Sequence, residues 1–267
     1  MIGTALNTAA KALLWILLLG AAGYVAYDRL VPCKAPVAYS VGAYDIRFGI
    51  SKEELLSAAK EAAAVWNTAA GKELFVYRSE GGMPINLVYD NRQATTQKTN
   101  QIKATIDQGT DTADAVREQY STAKAQYDQA RAAYEAARAS ASTQADYRTL
   151  EDQRLRVNAL AGQVNSLGAR YNALAQDINA RVDTVNQNAR GEFEEGQYIR
   201  DAFSQKIDIF EYSSRRELVR VLAHELGHSL GLDHNSNKNS IMYASNTSEN
   251  MDPTVEDLLA LKASCRL

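Results

Sequence analysis

The chain has few prolines, few histidines and little net charge, and each scarcity is informative. Only four prolines and 15 glycines occur among 267 residues, which argues against low-complexity linkers. A net charge of −3 gives no general attraction to nucleic acid, so we expect no nucleic-acid partner. Because 46% of the residues are hydrophobic, the chain can bury a core, and disorder throughout is excluded.

An uncharged apolar run, ALLWILLLGAAGYVAY, occupies residues 12–27. At about 1.5 Å per residue this run is shorter than a hydrocarbon core of about 30 Å, unless the residues before it extend the span. We predict that residues 1–29 form a single-pass anchor in the cell membrane that holds the rest of the chain outside the cytoplasm. The alternative is a signal peptide that is cleaved near residues 21–23 and leaves a secreted or periplasmic protein.

The two cysteines, Cys33 and Cys265, lie just after the apolar run and near the C-terminus. An even number of cysteines in an exported chain is consistent with one disulfide. Closing so long a loop would stabilise the fold by about 4–5 kcal/mol in the chain-entropy model. Two unrelated thiols are the alternative, because pairing cannot be read from the sequence.

The middle of the chain has the spacing of a coiled coil. Small or apolar residues recur at alternating steps of four and three between Ile102 and Ala141, and a second such seam runs between Leu150 and Val185. This pattern predicts two helices of about 60 Å each, joined by a turn at SASTQA, residues 140–145. We predict an antiparallel hairpin over residues 93–190 that presents a surface to a protein partner. Pairing with a second copy of the chain is the alternative.

The two ends of such a hairpin lie side by side, so it can be inserted into a compact domain. We therefore interpret residues 33–92 and 191–267 as the two halves of one α+β domain. The first half has the order strand, helix, strand, strand, and its helix begins with a capping box at Ser51 and Glu54. The second half has two strands and a helix that begins at Ser214. The predicted strands are residues 43–49, 73–79, 84–90, 197–201 and 206–212.

All three histidines of the chain occur in the stretch HELGHSLGLDH. On a helix, His224 and His228 are four residues apart and share a face, so both can ligate one ion, with Glu225 beside them as a general base. Gly231 lets the helix end with a positive φ, so that His234 can return as a third ligand. Three protein ligands leave one tetrahedral position open, which is typical of catalytic rather than structural zinc.

This stretch resembles the signature of the metzincin metalloproteases, HExxHxxGxxH followed by a methionine turn. The segment Ser240-Ile241-Met242-Tyr243 is similar to that turn, and a tyrosine directly after the methionine is closest to the matrixin branch. The resemblance implies a metzincin-like catalytic domain with a twisted mixed sheet and helices, here interrupted by the hairpin. It also implies that Met242 packs beneath the zinc ligands. The chain departs from the matrixin pattern at Asn235, where serine is frequent, and calcium binding is not evident.

Together these features predict a zinc-dependent endopeptidase that binds one zinc ion and acts on a peptide or protein substrate. Zinc would activate a water molecule, and Glu225 would take its proton. An exposed strand edge would hold the substrate by strand addition, and we expect that edge in residues 85–90 or 206–212. The alternative function is a coiled-coil adaptor or scaffold whose metalloprotease-like domain does not cut.

Overall fold

A computed structural model describes Trp15, residues 33–188 and residues 194–267. The chain divides into two compact units. The core unit contains Met1–Thr96 and Phe193–Leu267, and the hairpin unit contains Gln97–Glu192.

The core unit is built on a five-stranded mixed sheet, as the predicted α+β fold requires. The strands lie in the order β2-β1-β3-β5-β4, so β2 and β4 are the two edges. Strand β4 runs antiparallel to β5, and the other pairs are parallel. The strands are β1 (Val37–Tyr44), β2 (Phe75–Tyr77), β3 (Met83–Leu87), β4 (Gly196–Arg200) and β5 (Gln205–Ile209).

Five α-helices accompany the sheet in the described part of the chain. They are α1 (Lys52–Ala70), α2 (Asn91–Ser140), α3 (Gln144–Asn188), α4 (Arg215–Ser229) and α5 (Val255–Cys265). Helix α1 begins at the predicted capping box, in which the Glu54 amide donates to Ser51 Oγ over 3.1 Å and the Ser51 amide donates to Glu54 Oε2 over 2.7 Å. Gly71, with φ +62°, follows its last turn.

The core lies where α1 and α4 pack together and against the sheet. Alternate residues of β3 are buried, which is the pattern of a strand with one covered face. Leu55 and Trp66 of α1 are fully buried, and Trp66 Nε1 donates a 2.7 Å hydrogen bond to the carbonyl of Ala223 in α4. This bond fixes α1 to the residue immediately before His224.

The long helical hairpin predicted from the heptad spacing is confirmed in α2 and α3. Its helices are joined by residues 141–143, inside the predicted turn. Small residues let the two helices approach closely, since a Cβ at Gly109 would lie 3.3 Å from Ile178 Cγ1. At the other end, Asn188 Nδ2 donates to Thr99 Oγ1 over 3.0 Å, so the last turn of α3 lies beside the start of the hairpin unit.

The first strand differs from its prediction. Strand β1 ends at Tyr44, whereas residues 46–48, which were predicted to continue a strand, form a single 3-10 turn. The Asp45 carboxylate accepts the Arg47 amide over 2.9 Å, and this local bond offers the backbone an alternative to the sheet.

The localisation prediction requires a correction. No helix within the described residues is long and apolar enough to cross a membrane. The predicted single-pass position in the cell membrane, with residues 1–29 as the anchor, is therefore corrected, because the part of the chain that the structure describes contains no such span. The apolar N-terminal helix and the signal cleavage near residues 21–23 lie outside the described residues, since only Trp15 is described in that segment.

Cys33 and Cys265 are joined by a disulfide, with their Cα atoms 5.1 Å apart. The bond links the segment before β1 to the last turn of α5. It closes a sequence separation of 232 residues, so it removes many conformations from the unfolded chain.

Candidate metal centre

The first two histidines lie on helix α4, which is held in place at its start and along one face. Ser214 caps the helix by accepting the Glu217 amide over 3.2 Å. One side of the helix is buried in the core through Leu218, Leu222 and Leu226. A helix fixed at its start and along one face holds the remaining face, and the histidines on it, in a defined position.

The end of α4 reverses the chain and brings the third histidine back. Gly231 has φ +81°, its amide donates to His228 O over 2.9 Å, and the Leu232 amide donates to Gly227 O over 3.1 Å. These two bonds form a Schellman motif, which favours glycine at the left-handed position. The chain then runs back past the helix and places His234 beside His224 and His228.

The three imidazoles meet at one point. The Nε2 atoms of His224 and His234 are 3.0 Å apart, and His228 Nε2 lies 3.1 Å from each of them. Among the described residues, this is the one group of three or more His, Cys, Asp or Glu side chains that is close enough to hold a metal ion.

Backbone carbonyls fix the tautomers of two of these rings. His224 Nδ1 lies 2.7 Å from Ile241 O, and His228 Nδ1 lies 2.8 Å from Leu232 O. A carbonyl can only accept, so each Nδ1 carries the proton and each Nε2 turns a lone pair toward the shared point. Burial lowers the pKa of His224 to about 4 and also lowers the pKa of His228, which keeps both rings neutral near pH 7.

This arrangement fits a zinc ion. Lone pairs that face one another across about 3 Å repel, and a cation between them removes that repulsion. Two ligands of tetrahedral zinc, each about 2.0–2.1 Å from the ion, are about 3.3 Å apart. The measured separations are within a few tenths of an ångström of this value. The neutral nitrogen donors are also the type that zinc accepts.

Glu225 lies next to the histidines, but it is turned toward the edge of the sheet. Its side chain is buried, and the backbone amide of Tyr198 in β4 donates to its Oε2 over 2.6 Å. Gly196 makes room for it, because a Cβ there would lie 3.0 Å from Glu225 Oε1 and 2.8 Å from Val221 Cγ1. Burial raises the pKa of Glu225 to about 7, although the Tyr198 amide opposes the shift.

Met242 lies in a tight turn under α4 and is completely buried. A Cβ at Gly227 would overlap the Met242 sulfur, so this glycine allows the thioether to pack against the helix between the two histidine turns. The turn also supplies Ile241 O, the carbonyl that orients His224. The Asn235 amide donates to Met242 O over 2.9 Å, which joins the residue after His234 to the same turn.

Asp257 at the start of α5 holds this turn, and the sequence analysis missed it. The carboxylate is fully buried and accepts the amides of Ile241 over 2.9 Å and Met242 over 3.2 Å, together with the hydroxyl of Ser240. Burial alone would raise the pKa of Asp257, but the hydrogen bonds from Ser240 and the backbone amides lower it overall. Its sequence signal is the capping box that begins at Thr254.

Arg220 is a second residue near the site that was not predicted from the sequence. It stands four residues before His224, on an otherwise apolar stretch of α4, and only 3% of it is exposed. Its guanidinium donates to Ser240 O over 2.7 Å and to Asn250 O over 2.9 Å. An arginine within an apolar helix face is the signal that was available, since buried cations need such partners.

The open edge of the sheet beside α4 is β4, whereas an open edge was expected in the segment of β3 or of β5. Both predicted locations are wrong, because β3 pairs with β1 and β5, and β5 pairs with β3 and β4. Neither strand has a free side for a peptide. Strand β4 was recognised as a strand, but its place in the sheet depends on pairing that the sequence does not reveal.

Comparison with known proteins gives one positive finding. The matrixin family model matches residues 33–263, which include both halves of the core unit and the hairpin between them. No significant match is found among curated proteins or among solved structures.

Proposed function

This chain belongs to the matrixin family, which gives it a metalloprotease-type function on peptide or protein substrates, and we propose that it is a zinc-dependent endopeptidase. We further propose that residues 33–92 and 191–267 together form its catalytic domain. The observation that carries the proposal is the convergence of three histidine Nε2 atoms within 3.1 Å of one another.

His224, His228 and His234 would hold the ion through Nε2. Zinc, when bound, supplies Lewis-acid chemistry that acidifies water and polarises a peptide carbonyl. The protein contributes the orientation of the ligands, because Ile241 O and Leu232 O hold two of the rings in the neutral ligand tautomer. Outer contacts of this kind typically change metal affinity by about 10–100-fold when they are removed.

Glu225 is the proposed general base. It would take a proton from the attacking water and deliver it to the leaving amine, so it must exist in both protonation states during one turnover. Its raised pKa, about 7, suits a group that exchanges a proton near neutral pH. The Tyr198 amide fixes one oxygen of the carboxylate and leaves the other available for the proton transfer.

Strand β4 is the proposed platform for the substrate. The Tyr198 amide points away from β5, because it is bonded to Glu225. An extended peptide that adds to this open edge would therefore lie beside the general base, with its backbone held by hydrogen bonds.

The test is a comparison of the wild type with Glu225→Gln on an unfolded protein mixture, with zinc measured in both proteins. We expect about one zinc per chain in each, and a loss of cleavage of at least about 100-fold in the variant. His234→Ala is the matched control, since it removes a ligand and should lose both zinc and cleavage.

Each deviation from this result has a distinct meaning. Equal cleavage by the wild type and Glu225→Gln would remove Glu225 from the role of base. Zinc binding without cleavage by the wild type would favour the adaptor or scaffold function. Absence of zinc from the wild type would contradict the proposed site.

A further inference from the structure

The first residues of α2, numbers 91–96, belong to the core unit, and we call them the hairpin root. The Gln93 side chain is buried and makes two hydrogen bonds to the backbone of Tyr212, donating to its carbonyl over 3.1 Å and accepting its amide over 2.9 Å. The Thr96 hydroxyl donates to the Glu211 carboxylate. The root is therefore joined to the segment that follows β5.

Arg92 in the root also contacts the segment that precedes β4. Its Nη1 atom donates to the carbonyl of Glu194, two residues before the strand, over 2.9 Å. Its guanidinium carbon lies 3.6 Å from the centroid of the Phe210 ring, directly after β5, in a cation–π contact. The Asp90 carboxylate holds the guanidinium in place over 2.6 Å. One side chain thus bridges the start of β4 and the end of β5.

The start of β4 depends on such contacts because the strand lies at an edge of the sheet and pairs with β5 alone. The Glu195 carbonyl accepts the amide of Phe210 over 2.8 Å and that of Glu211 over 3.2 Å. Arg92 adds the bond to the carbonyl of Glu194, one residue earlier. Two successive carbonyls before the strand are therefore fixed, one by β5 and its extension and the other by the root.

This end of β4 also makes the contacts that place Glu225. A Cβ at Gly196 would lie 3.0 Å from Glu225 Oε1, and the Tyr198 amide donates to Glu225 Oε2 over 2.6 Å. Only Glu195 separates the carbonyl that Arg92 holds from Gly196. A shift of the chain before β4 would therefore move the carboxylate, and a misplacement of about 1 Å can lower a catalytic rate by about 100-fold.

Arg47 provides a comparison within the same unit. The amides of Arg47 and Arg92 each donate over 2.9 Å to an aspartate two residues earlier, Asp45 and Asp90. Each guanidinium pairs with that aspartate over 2.6 Å and lies over an aromatic ring. Arg47 has 61% of its side chain exposed, whereas Arg92 has 22% exposed and also reaches Glu194 O. Arg47 is therefore a matched control for the bond to Glu194.

We propose that Arg92 is a positioning residue for catalysis, which acts by holding the start of β4 against Glu225. Its effect passes through Glu194 O to the contacts that Gly196 and Tyr198 make with the carboxylate. This inference rests on the proposed endopeptidase function for its effect on the rate. It also gives the insertion a place in the active site, because the root and the start of β4 are where the chain enters and leaves the hairpin.

The first experiment measures hydrogen exchange of the Tyr198 amide by NMR in the full-length protein as purified. The chain is labelled with ¹⁵N-tyrosine, and the Tyr198 signal is identified by its loss in Tyr198→Phe. Arg92→Ala should speed exchange of this amide about three- to tenfold, the range for loss of one hydrogen bond. Arg47→Ala should leave it unchanged, and Arg92→Lys, which keeps one charged donor, should recover part of the protection. The Tyr39 amide in β1 is the internal reference and should not change.

The second experiment measures kcat and KM on a quenched fluorescent peptide that contains a site cut by the wild type in an unfolded protein. Arg92→Ala should lower kcat about tenfold, because the general base is misplaced, and should raise KM less. Zinc should remain at about one ion per chain. Arg47→Ala should keep the wild-type kcat, and Arg92→Lys should restore part of the loss. A loss of stability alone would not give this order of variants.

The two experiments separate the positioning role from the endopeptidase function. Unchanged exchange at Tyr198 in Arg92→Ala would overturn the positioning role, and so would an equal acceleration at Tyr198 and Tyr39, which indicates a general loss of stability. Faster exchange at Tyr198 with an unchanged kcat would also overturn it. If the wild type cuts nothing while Arg92→Ala still frees the Tyr198 amide, the endopeptidase proposal fails and the hold of the root on β4 stands.

Discussion

The two units of the chain are stabilised in different ways. The largest fully buried side chains of the described residues, among them Trp66, Ile85 and Leu222, all belong to the core unit. In the hairpin unit, the buried hydrophobic residues are Ala113, Val116 and Ala123, and helix α3 buries none completely. A fully buried large apolar side chain contributes about 1.5–3 kcal/mol, so the core unit has by far the larger hydrophobic stabilisation.

Buried polar groups show the same contrast. Every buried polar or charged residue among those described lies in the core unit, including Asp208, Arg220, Glu225 and Asp257. The ion pairs of the hairpin, such as Lys124 with Asp128, are exposed and each contributes little. A buried charge needs a rigid surrounding that supplies its partners, and only the core unit provides one. The difference is consistent with the proposal that the chemistry belongs to the core unit.

The largest effect should come from Leu222→Ala in α4. Leu222 is completely buried, so the substitution leaves a cavity and should lower the free energy of unfolding by about 2–5 kcal/mol. Val116→Ala is the counterpart in the hairpin and should cost about 1 kcal/mol, because it removes fewer atoms from a two-helix seam. Chemical denaturation of both variants measures the difference. Equal losses would contradict the contrast in burial.

The next largest effect should come from Asp257→Asn. The amide that replaces the carboxylate cannot accept all of the donors from Ser240, Ile241 and Met242, so the free energy of unfolding should fall by about 2–3 kcal/mol. Zinc affinity should weaken about 10–100-fold, since the turn also carries the carbonyl that orients His224. In the hairpin, Asp177→Asn loses only an exposed pair with Arg181 and should change stability by at most about 0.5 kcal/mol. Equal losses of stability in Asp257→Asn and Asp177→Asn would contradict the role of Asp257 in holding the turn.

Glu195 gives the core unit a pH dependence near neutrality. Burial raises its pKa to about 8, and Glu217 and Glu211 raise it further, although Asn246 and Arg220 oppose the shift. The folded pKa is above the unfolded value of 4.5, so this group's contribution to stability is complete below pH 4.5 and is lost as the pH rises toward 8. The free energy of unfolding of Glu195→Gln, relative to that of the wild type, should therefore rise by about 1–3 kcal/mol between pH 5 and pH 8. Parallel pH profiles for the two proteins would contradict this assignment.

Removal of the hairpin should have the smallest effect on the folding and zinc content of the core unit. Deleting residues 97–188 and closing the gap with a short Gly-Ser link should leave a folded core with unchanged zinc content, because Thr99 and Asn188 lie within hydrogen-bond distance of each other. The first turn of α2 must be kept, since the Gln93 side chain makes two hydrogen bonds to the backbone of Tyr212. Calorimetry and zinc analysis measure the outcome. A deletion that unfolds the core would show that the hairpin is part of its stability.

The parts of the structure with periodic or local signals could be predicted from the sequence. The heptad steps indicated the hairpin, and the capping box at Ser51 and Glu54 indicated the start of α1. The spacing of His224, His228, Gly231 and His234 predicted that the three histidines share one point, and the structure brings the three side chains together.

The parts that depend on long-range packing could not be predicted. The order of the strands decides which edge is open, and no residue in β3 or β5 reports that order. Asp257 and Arg220 act on the methionine turn from other elements, so their partners are visible only after folding.

The most direct test of the central claim is X-ray absorption spectroscopy of the zinc-loaded protein. We predict a first shell of three imidazole nitrogens at about 2.0–2.1 Å with one further light ligand and no sulfur, and we predict that His234→Ala loses one imidazole from this shell. A wild-type spectrum with fewer than three imidazoles, or one that His234→Ala leaves unchanged, would contradict the claim that these three histidines form one catalytic metal site.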